Sequence, residues 1–300
     1  MASLEHLITD LPFIYSNNLR CRAHHTYYQT HCHKPSTPCK PTPILTKKKA
    51  TKTMSLAGKV IIVTGGSKGI GRSISHRLAQ DGASVVVNFS RDASAAEEVV
   101  KAIGGPDRAL AVQADVGSVA GVEKLVAATL ERFGRVDVVI PNAGIMPMRA
   151  TANTTEEDFD RAFALNVKGP YFLAQKAAAH MSPGGRIIFV STGIAKASTV
   201  APPYLLYGAT KGAVEQMTRI MAKDLAAKGI NVNAVAPGPT GTELFFEGKS
   251  EAMIEGIKKA SPFGRLGKPD DIASVVAFLS GKDSAWVAGQ VIHVNGAAFV

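Results

Sequence analysis

Tyr207 and Lys211 stand four residues apart in the run Tyr207-Gly208-Ala209-Thr210-Lys211. On a helix that spacing is one turn, so both side chains can share a face. A phenol beside an ammonium is suited to moving a proton. A free tyrosine has a pKa of about 10, and a nearby cation lowers it towards the range useful near neutrality. Far upstream, Thr64-Gly65-Gly66-Ser67-Lys68-Gly69-Ile70-Gly71 is a glycine-rich turn. Gly65, Gly69 and Gly71 follow G-x-x-x-G-x-G, which departs from the G-x-G-x-x-G dinucleotide fingerprint. The physical service is the same: glycines allow a tight turn and let backbone N–H groups approach a pyrophosphate. The two motifs together point to an enzyme that holds a dinucleotide and moves a proton beside it.

The elements that must position these residues alternate along the chain. Short apolar, β-rich runs at 60–63, 84–88, 109–112, 136–140, 186–190, 230–235 and 290–294 predict seven strands buried on both faces. Helical patterns lie between them at 70–80, 94–103, 119–133, 155–166, 171–180, 207–227 and 269–279. Repeated β-α units with short links imply parallel strands and right-handed crossovers. The expected fold is therefore α/β: a single-domain, Rossmann-like doubly wound parallel sheet with helices on both faces. Ligands of such sheets bind at the carboxyl ends of the strands, near the switch in strand order. The glycine turn falls at such a strand end, and Tyr207 at a helix start.

The residues after the second strand speak to the cofactor. An acid there would bind the ribose 2′-hydroxyl of NAD. This chain has Asn88-Phe89-Ser90-Arg91 instead, with Lys68 inside the glycine turn. Two cations without a well-placed acid favour a 2′-phosphate, hence NADP(H). Asp92 is adjacent and is expected to point away.

Further motifs carry a family resemblance: Asp115-Val116, Asn142-Ala143-Gly144, Asn166, and Pro237-Gly238 with Thr242, in order with the glycine turn and Tyr207-x-x-x-Lys211. Across about Ser55 to Val300 the chain resembles the short-chain dehydrogenases/reductases of single-domain type. Within them it is most similar to fungal naphthol reductases and plant NADPH-dependent aldehyde reductases, notably in 236–240 and 262–265. The resemblance implies hydride transfer between a nicotinamide and a carbonyl or alcohol carbon, with Tyr207 giving the proton in reduction. It implies that Gly65, Ser67, Lys68, Ile70, Gly71 and Arg91 bind cofactor phosphates and ribose. Asp115 and Val116 would contact the adenine, and Asn142 to Gly144 would line the cofactor channel. Pro237, Gly238 and Thr242 would hold the carboxamide. Lys211 would also bind the nicotinamide ribose, and Asn166 would hold a proton-relaying water. The family's carbonyl-polarising serine falls at Thr192, with Ser191 as the alternative. The loop from Thr192 to Tyr207 is about two residues longer than usual, and Pro202-Pro203 stiffens it.

The expected pocket lining is Ile145, Met146, Pro147, Met148, Ile194, Tyr204, Leu244, Phe245 and Phe246, apolar enough for a flat aromatic ketone, a polyketide-like molecule or an aldehyde. Gly241, Gly248 and Gly256 suggest a segment that closes over substrate. The resemblance also implies a homotetramer packed through the helices after the fourth and fifth strands, where the Ala-rich stretches 174–179 and 209–213 permit close approach. A catalytically silent cofactor-binding scaffold is the competing reading, against which Asn166, Tyr207 and Lys211 argue.

The charge is uneven. Residues 1–53 carry 8 Lys/Arg against 2 Asp/Glu, more than half of the chain's net +10. The segment reads as a disordered basic leader, poor in acids as organelle transit peptides are, ahead of a domain at 54–300. Its charge points to no nucleic-acid partner beyond a solvated leader. Cys21, Cys32 and Cys39 all lie there among histidines, in no regular metal-ligand spacing, so no metal site is expected. No apolar run approaches the roughly 20 residues of a membrane span, and a soluble, cytoplasmic protein is the expectation, with organelle targeting by the leader as the variant.

Overall fold

Seven short runs of β-branched and aliphatic residues pair edge to edge in a computed structural model that describes residues 55–299. The leader, with its targeting and metal readings, lies outside the described residues. The strands are β1 (Val60–Val63), β2 (Ser84–Phe89), β3 (Ala109–Gln113), β4 (Val138–Ile140), β5 (Arg186–Val190), β6 (Asn231–Pro237) and β7 (Val291–Val294). All pair in parallel, in the order β3-β2-β1-β4-β5-β6-β7. The order reverses between β1 and β4, so a crevice opens at their carboxyl ends. The seven-stranded parallel sheet expected from the sequence is the one observed.

Successive strand side chains point to opposite faces, and each face has its own core. Ile61, Val63, Val87 and Ile188 pack with Ile74 and Leu78 of α1 (Gly69–Gln80) and Ile272 and Val276 of α9 (Pro269–Ser280). Ile62, Val86, Ile187 and Phe189 pack on the other face. There they meet Leu125 of α3 (Val119–Phe133), Leu173 of α5 (Gly169–Ala178) and Val214 of α6 (Leu205–Ala226). Both faces of the central strands are covered, which is why those strands read as apolar runs; β7, at the edge, is half-buried. The remaining helices are α2 (Ala93–Ala102), α4 (Glu156–Phe163), α7 (Glu243–Phe246) and α8 (Glu251–Ala260).

Two stretches differ from the sequence expectation. The helix expected over 155–166 ends at Phe163, and a π-helical turn, Ala164–Lys168, carries the chain directly into α5. The insert after β6 folds into α7 and α8, neither of which buries a residue. Short helices with no buried face are weakly held, as a movable cover over a crevice would be. Among the described residues no helix is long and apolar enough to cross a membrane.

Candidate active site

The glycine turn joins β1 to α1 at the crevice. Gly65 and Gly69 adopt φ of 60° and 50°, left-handed values that favour glycine. A Cβ on Gly71 would collide with the Gly65 carbonyl, so that position must be bare for the turn to close. α1 starts without a side-chain cap, because Lys68 offers no acceptor. Its first-turn N–H groups are therefore free for an anion, and Gly69 and Ile70 face the crevice. Buried Asn88 fixes the turn. Its backbone carbonyl accepts from Gly66 N (3.0 Å), and its amide donates to the carbonyls of Val112 (3.2 Å) and Ala114 (3.0 Å). The ends of β2 and β3 are thereby stitched to the phosphate-sized cradle.

Thr64 anchors the next segment: its hydroxyl accepts from Asn142 N (2.9 Å) and Ala143 N (3.0 Å), and Asn142 Nδ2 donates to Thr64 O (2.9 Å). Gly144 is close enough to the centre that an added Cβ would lie 3.1 Å from Asn166 Oδ1 and 3.8 Å from Lys211 Nζ. Thr242 touches the glycine turn, since a Cβ on Gly69 would sit 3.2 Å from its methyl. Pro237, Gly238 and Thr242 line the same crevice. Ser67, Asp115 and Val116 do not line it; Ser67 and Val116 are buried, and Asp115 Oδ1 accepts from Gly117 N (2.9 Å). Arg91 is exposed at the end of β2. Asp92 does not point away as expected. It caps α2, accepting from Ala95 N (3.0 Å), and pairs with Lys68 at 2.6 Å. Lys68 therefore already carries a carboxylate partner.

At the centre, Tyr207 and Lys211 lie on one face of α6. Lys211 Nζ is 5.7 Å from the Tyr207 ring centroid and donates to Val190 O at 2.7 Å. Thr192 stands beside Tyr207, and its hydroxyl acts to lower the phenol's pKa. Ser191 instead donates to buried Glu215 Oε1 at 3.1 Å, and Glu215 also accepts from Arg219 (3.2 Å). Neighbouring residues of an extended chain point opposite ways, so only one of the two hydroxyls can meet Tyr207. Burial pushes the Tyr207 phenol up to about 12 and the Lys211 ammonium down to about 8. This reverses the lowering expected for the tyrosine. Desolvation outweighs the opposing effect of the Thr192 hydroxyl, and the buried ammonium would lose its proton well before the phenol does.

Asn166 sits in the π turn, fully buried. Its Nδ2 donates to Ile145 O (2.9 Å) and Thr210 Oγ1 (3.1 Å), while its Oδ1 accepts from Ile145 N (2.9 Å). The side chain is thus committed to clamping the loop after β4 against α6.

A cavity of about 910 Å³ extends from the glycine turn past Tyr207. Ile145, Met146, Ile194, Tyr204, Leu244 and Phe245 line it as expected, whereas Pro147, Met148 and Phe246 do not. The chain after Met146 leaves the cavity to meet the next loop through Arg149 N–Pro203 O (2.8 Å), and Phe246 folds against Phe245 and Gly241. Several wall residues were missed from sequence, among them Val200, Phe263 and Phe299; Phe299 packs directly on Gly193, its carbonyl held by Asn295 Nδ2 at 2.8 Å. The only sequence signal for that packing was a bare glycine beside Thr192, and nothing tied it to the distant tail.

A family model described as Enoyl-(Acyl carrier protein) reductase matches residues 65–297. The probable tetrahydroxynaphthalene reductase of Zymoseptoria tritici is 41% identical over 260 residues, covering 82% of this chain and 96% of that protein. Versicolorin reductase 1 of Aspergillus parasiticus is 42% identical over 257 residues, covering 81% and 97%. Among solved structures, the angucycline C-6 ketoreductase LanV with bound NADP superposes with a TM-score of 0.75 at 39% identity, covering 81% of this chain and 96% of that one.

Proposed function

This chain belongs to the short-chain dehydrogenase/reductase family, and on that premise we propose that it reduces aromatic, polyketide-like ketones with NADPH, using Tyr207 as the proton donor. It is an NADP(H)-dependent short-chain oxidoreductase. The observation that carries the finer reading is the contact of Tyr207 with Thr192 at the edge of an apolar cavity, with Lys211 one turn further along α6. Relatives whose names specify naphthol, versicolorin and angucycline reduction support a polycyclic ketone over a small aldehyde.

When bound, NADPH supplies the hydride. The bare turn Gly65–Gly71, with Ser67, Ile70 and the uncapped start of α1, would hold the pyrophosphate. Arg91 and Lys68 would supply positive charge for the 2′-phosphate, Lys68 giving up its Asp92 partner to do so. Asp115 and Val116 would contact the adenine. Asn142, Gly144, Pro237, Gly238 and Thr242 would hold the nicotinamide end. Thr192 and Tyr207 both donate to the substrate carbonyl oxygen, polarising it. As negative charge develops on that oxygen, Tyr207 passes its proton across. A phenol held near 12 is fully protonated at neutral pH and is a stronger acid than the alcohol being formed, so transfer runs downhill in the reductive direction. Lys211, held at the carbonyl of Val190, supplies positive charge behind the phenol. Asn166 keeps the loop after β4 closed on the centre.

The same reading includes a homotetramer. The alanines of α5 do not serve it as expected, because Ala174, Ala177 and Ala178 are buried in the chain's own core. Exposed Phe159 on α4, Tyr171 on α5 and Ile220 on α6 supply apolar contact surface instead. The test of the function is NADPH consumption over a panel of polycyclic ketones, aldehydes and an enoyl thioester. Ketones should be turned over fastest; faster turnover of the enoyl thioester would overturn the reading.

A further inference from the structure

The cavity holds a second phenol that the mechanism above does not use. Tyr204 is the residue immediately before α6, three positions ahead of Tyr207. Both line the cavity. The Tyr204 hydroxyl has no hydrogen-bonding partner among the described residues. The cavity that it lines has a largely apolar wall, to which Met146, Ile194, Leu244, Phe245 and Phe299 contribute.

Its position is fixed from two sides. Pro202 and Pro203 begin the 3-10 turn that ends at Tyr204, and each ring locks its own φ. The Pro203 carbonyl accepts from Arg149 N at 2.8 Å, and the Arg149 side chain is paired with Asp158 of α4. The long, proline-stiffened loop therefore serves to hold one phenol still. Burial raises the Tyr204 pKa, keeping the group a donor. A half-buried hydroxyl in an apolar wall gains most from a partner that arrives with the ligand.

We propose that Tyr204 is a specificity-determining residue that donates a hydrogen bond to a second oxygen of the substrate, so that the enzyme selects hydroxylated or multiply oxygenated aromatic ketones and sets which carbonyl meets Tyr207. This rests on the reductase reading above. The experiment compares α-tetralone with a set of ring-hydroxylated tetralones, NADPH being the reductant. The unsubstituted enzyme should prefer at least one hydroxylated tetralone by about ten-fold in kcat/KM, the worth of one hydrogen bond. In Tyr204→Phe that ratio should fall close to one. Using a ratio cancels any general loss of activity in the variant. An unchanged ratio in the variant overturns the inference, as does an unsubstituted enzyme with no preference among the tetralones. Failure of the unsubstituted enzyme to reduce any of them overturns the reductase reading, and this inference with it.

Discussion

Thr192 and Ser191 are adjacent hydroxyls whose order along the chain could not separate their roles; their partners do. Thr192 meets Tyr207, and Ser191 meets Glu215. Thr192→Ala should therefore lower kcat by about 100-fold, as loss of a donor to a developing oxyanion does. Ser191→Ala should retain catalysis within a few-fold, and steady-state kinetics on both variants checks the assignment. Lys211 sets a pH limit. Its ammonium is held down to about 8 by burial, so it carries charge below that pH and loses it above. Reductive kcat/KM should fall as pH rises through about 8, while Tyr207, pushed up to about 12, stays protonated throughout. Lys211→Arg, which keeps its charge at any accessible pH, should shift the fall to higher pH in the same pH-rate profile.

At the scale of elements, the π-helical turn decides where Asn166 points. Continued as α-helix through 164–168, the chain would carry Asn166 to a different azimuth, away from Ile145 and Thr210. The cost of the irregular turn is offset by a fully engaged buried amide. Thr210→Val keeps the side-chain shape but leaves one Asn166 N–H unpaired. It should destabilise the fold by about 1–3 kcal/mol, measured by denaturant unfolding. The strands were legible because doubly buried parallel strands write themselves as unbroken apolar runs, and Val60–Val63 and Arg186–Val190 sit where those runs do. The glycine turn was legible for the same kind of reason, since Gly71 stands where any side chain would strike the Gly65 carbonyl. The π turn was not: its driving partners, Ile145 and Thr210, are 21 and 44 residues from Asn166. Asp92 was misjudged because its two partners, Ala95 N and Lys68, come together only once α2 and the glycine turn have formed.

At the scale of the molecule, one crevice at the carboxyl ends of β1, β4, β5 and β6 gathers residues from Gly65 to Phe299. Phe299 was illegible because its contact with Gly193 joins the tail to the middle of the chain. The tyrosine's raised pKa was illegible because burial is a property of the whole assembly of elements, not of a four-residue spacing. The exposed aromatic residues of α4 and α5 offer contact surface for the proposed tetramer; sedimentation equilibrium should show that tetramer, which Tyr171→Asp should weaken by placing an uncompensated charge in the contact.

The central claim is that Tyr207 gives the proton in an NADPH-dependent ketone reduction. Its most direct test is the rate of NADPH consumption with the best polycyclic ketone, measured for the unsubstituted enzyme and for Tyr207→Phe. The account predicts brisk consumption in the first and a loss of about 10²–10⁴-fold in the second, the range for a removed general acid. Turnover in Tyr207→Phe within a few-fold of the unsubstituted enzyme would contradict it.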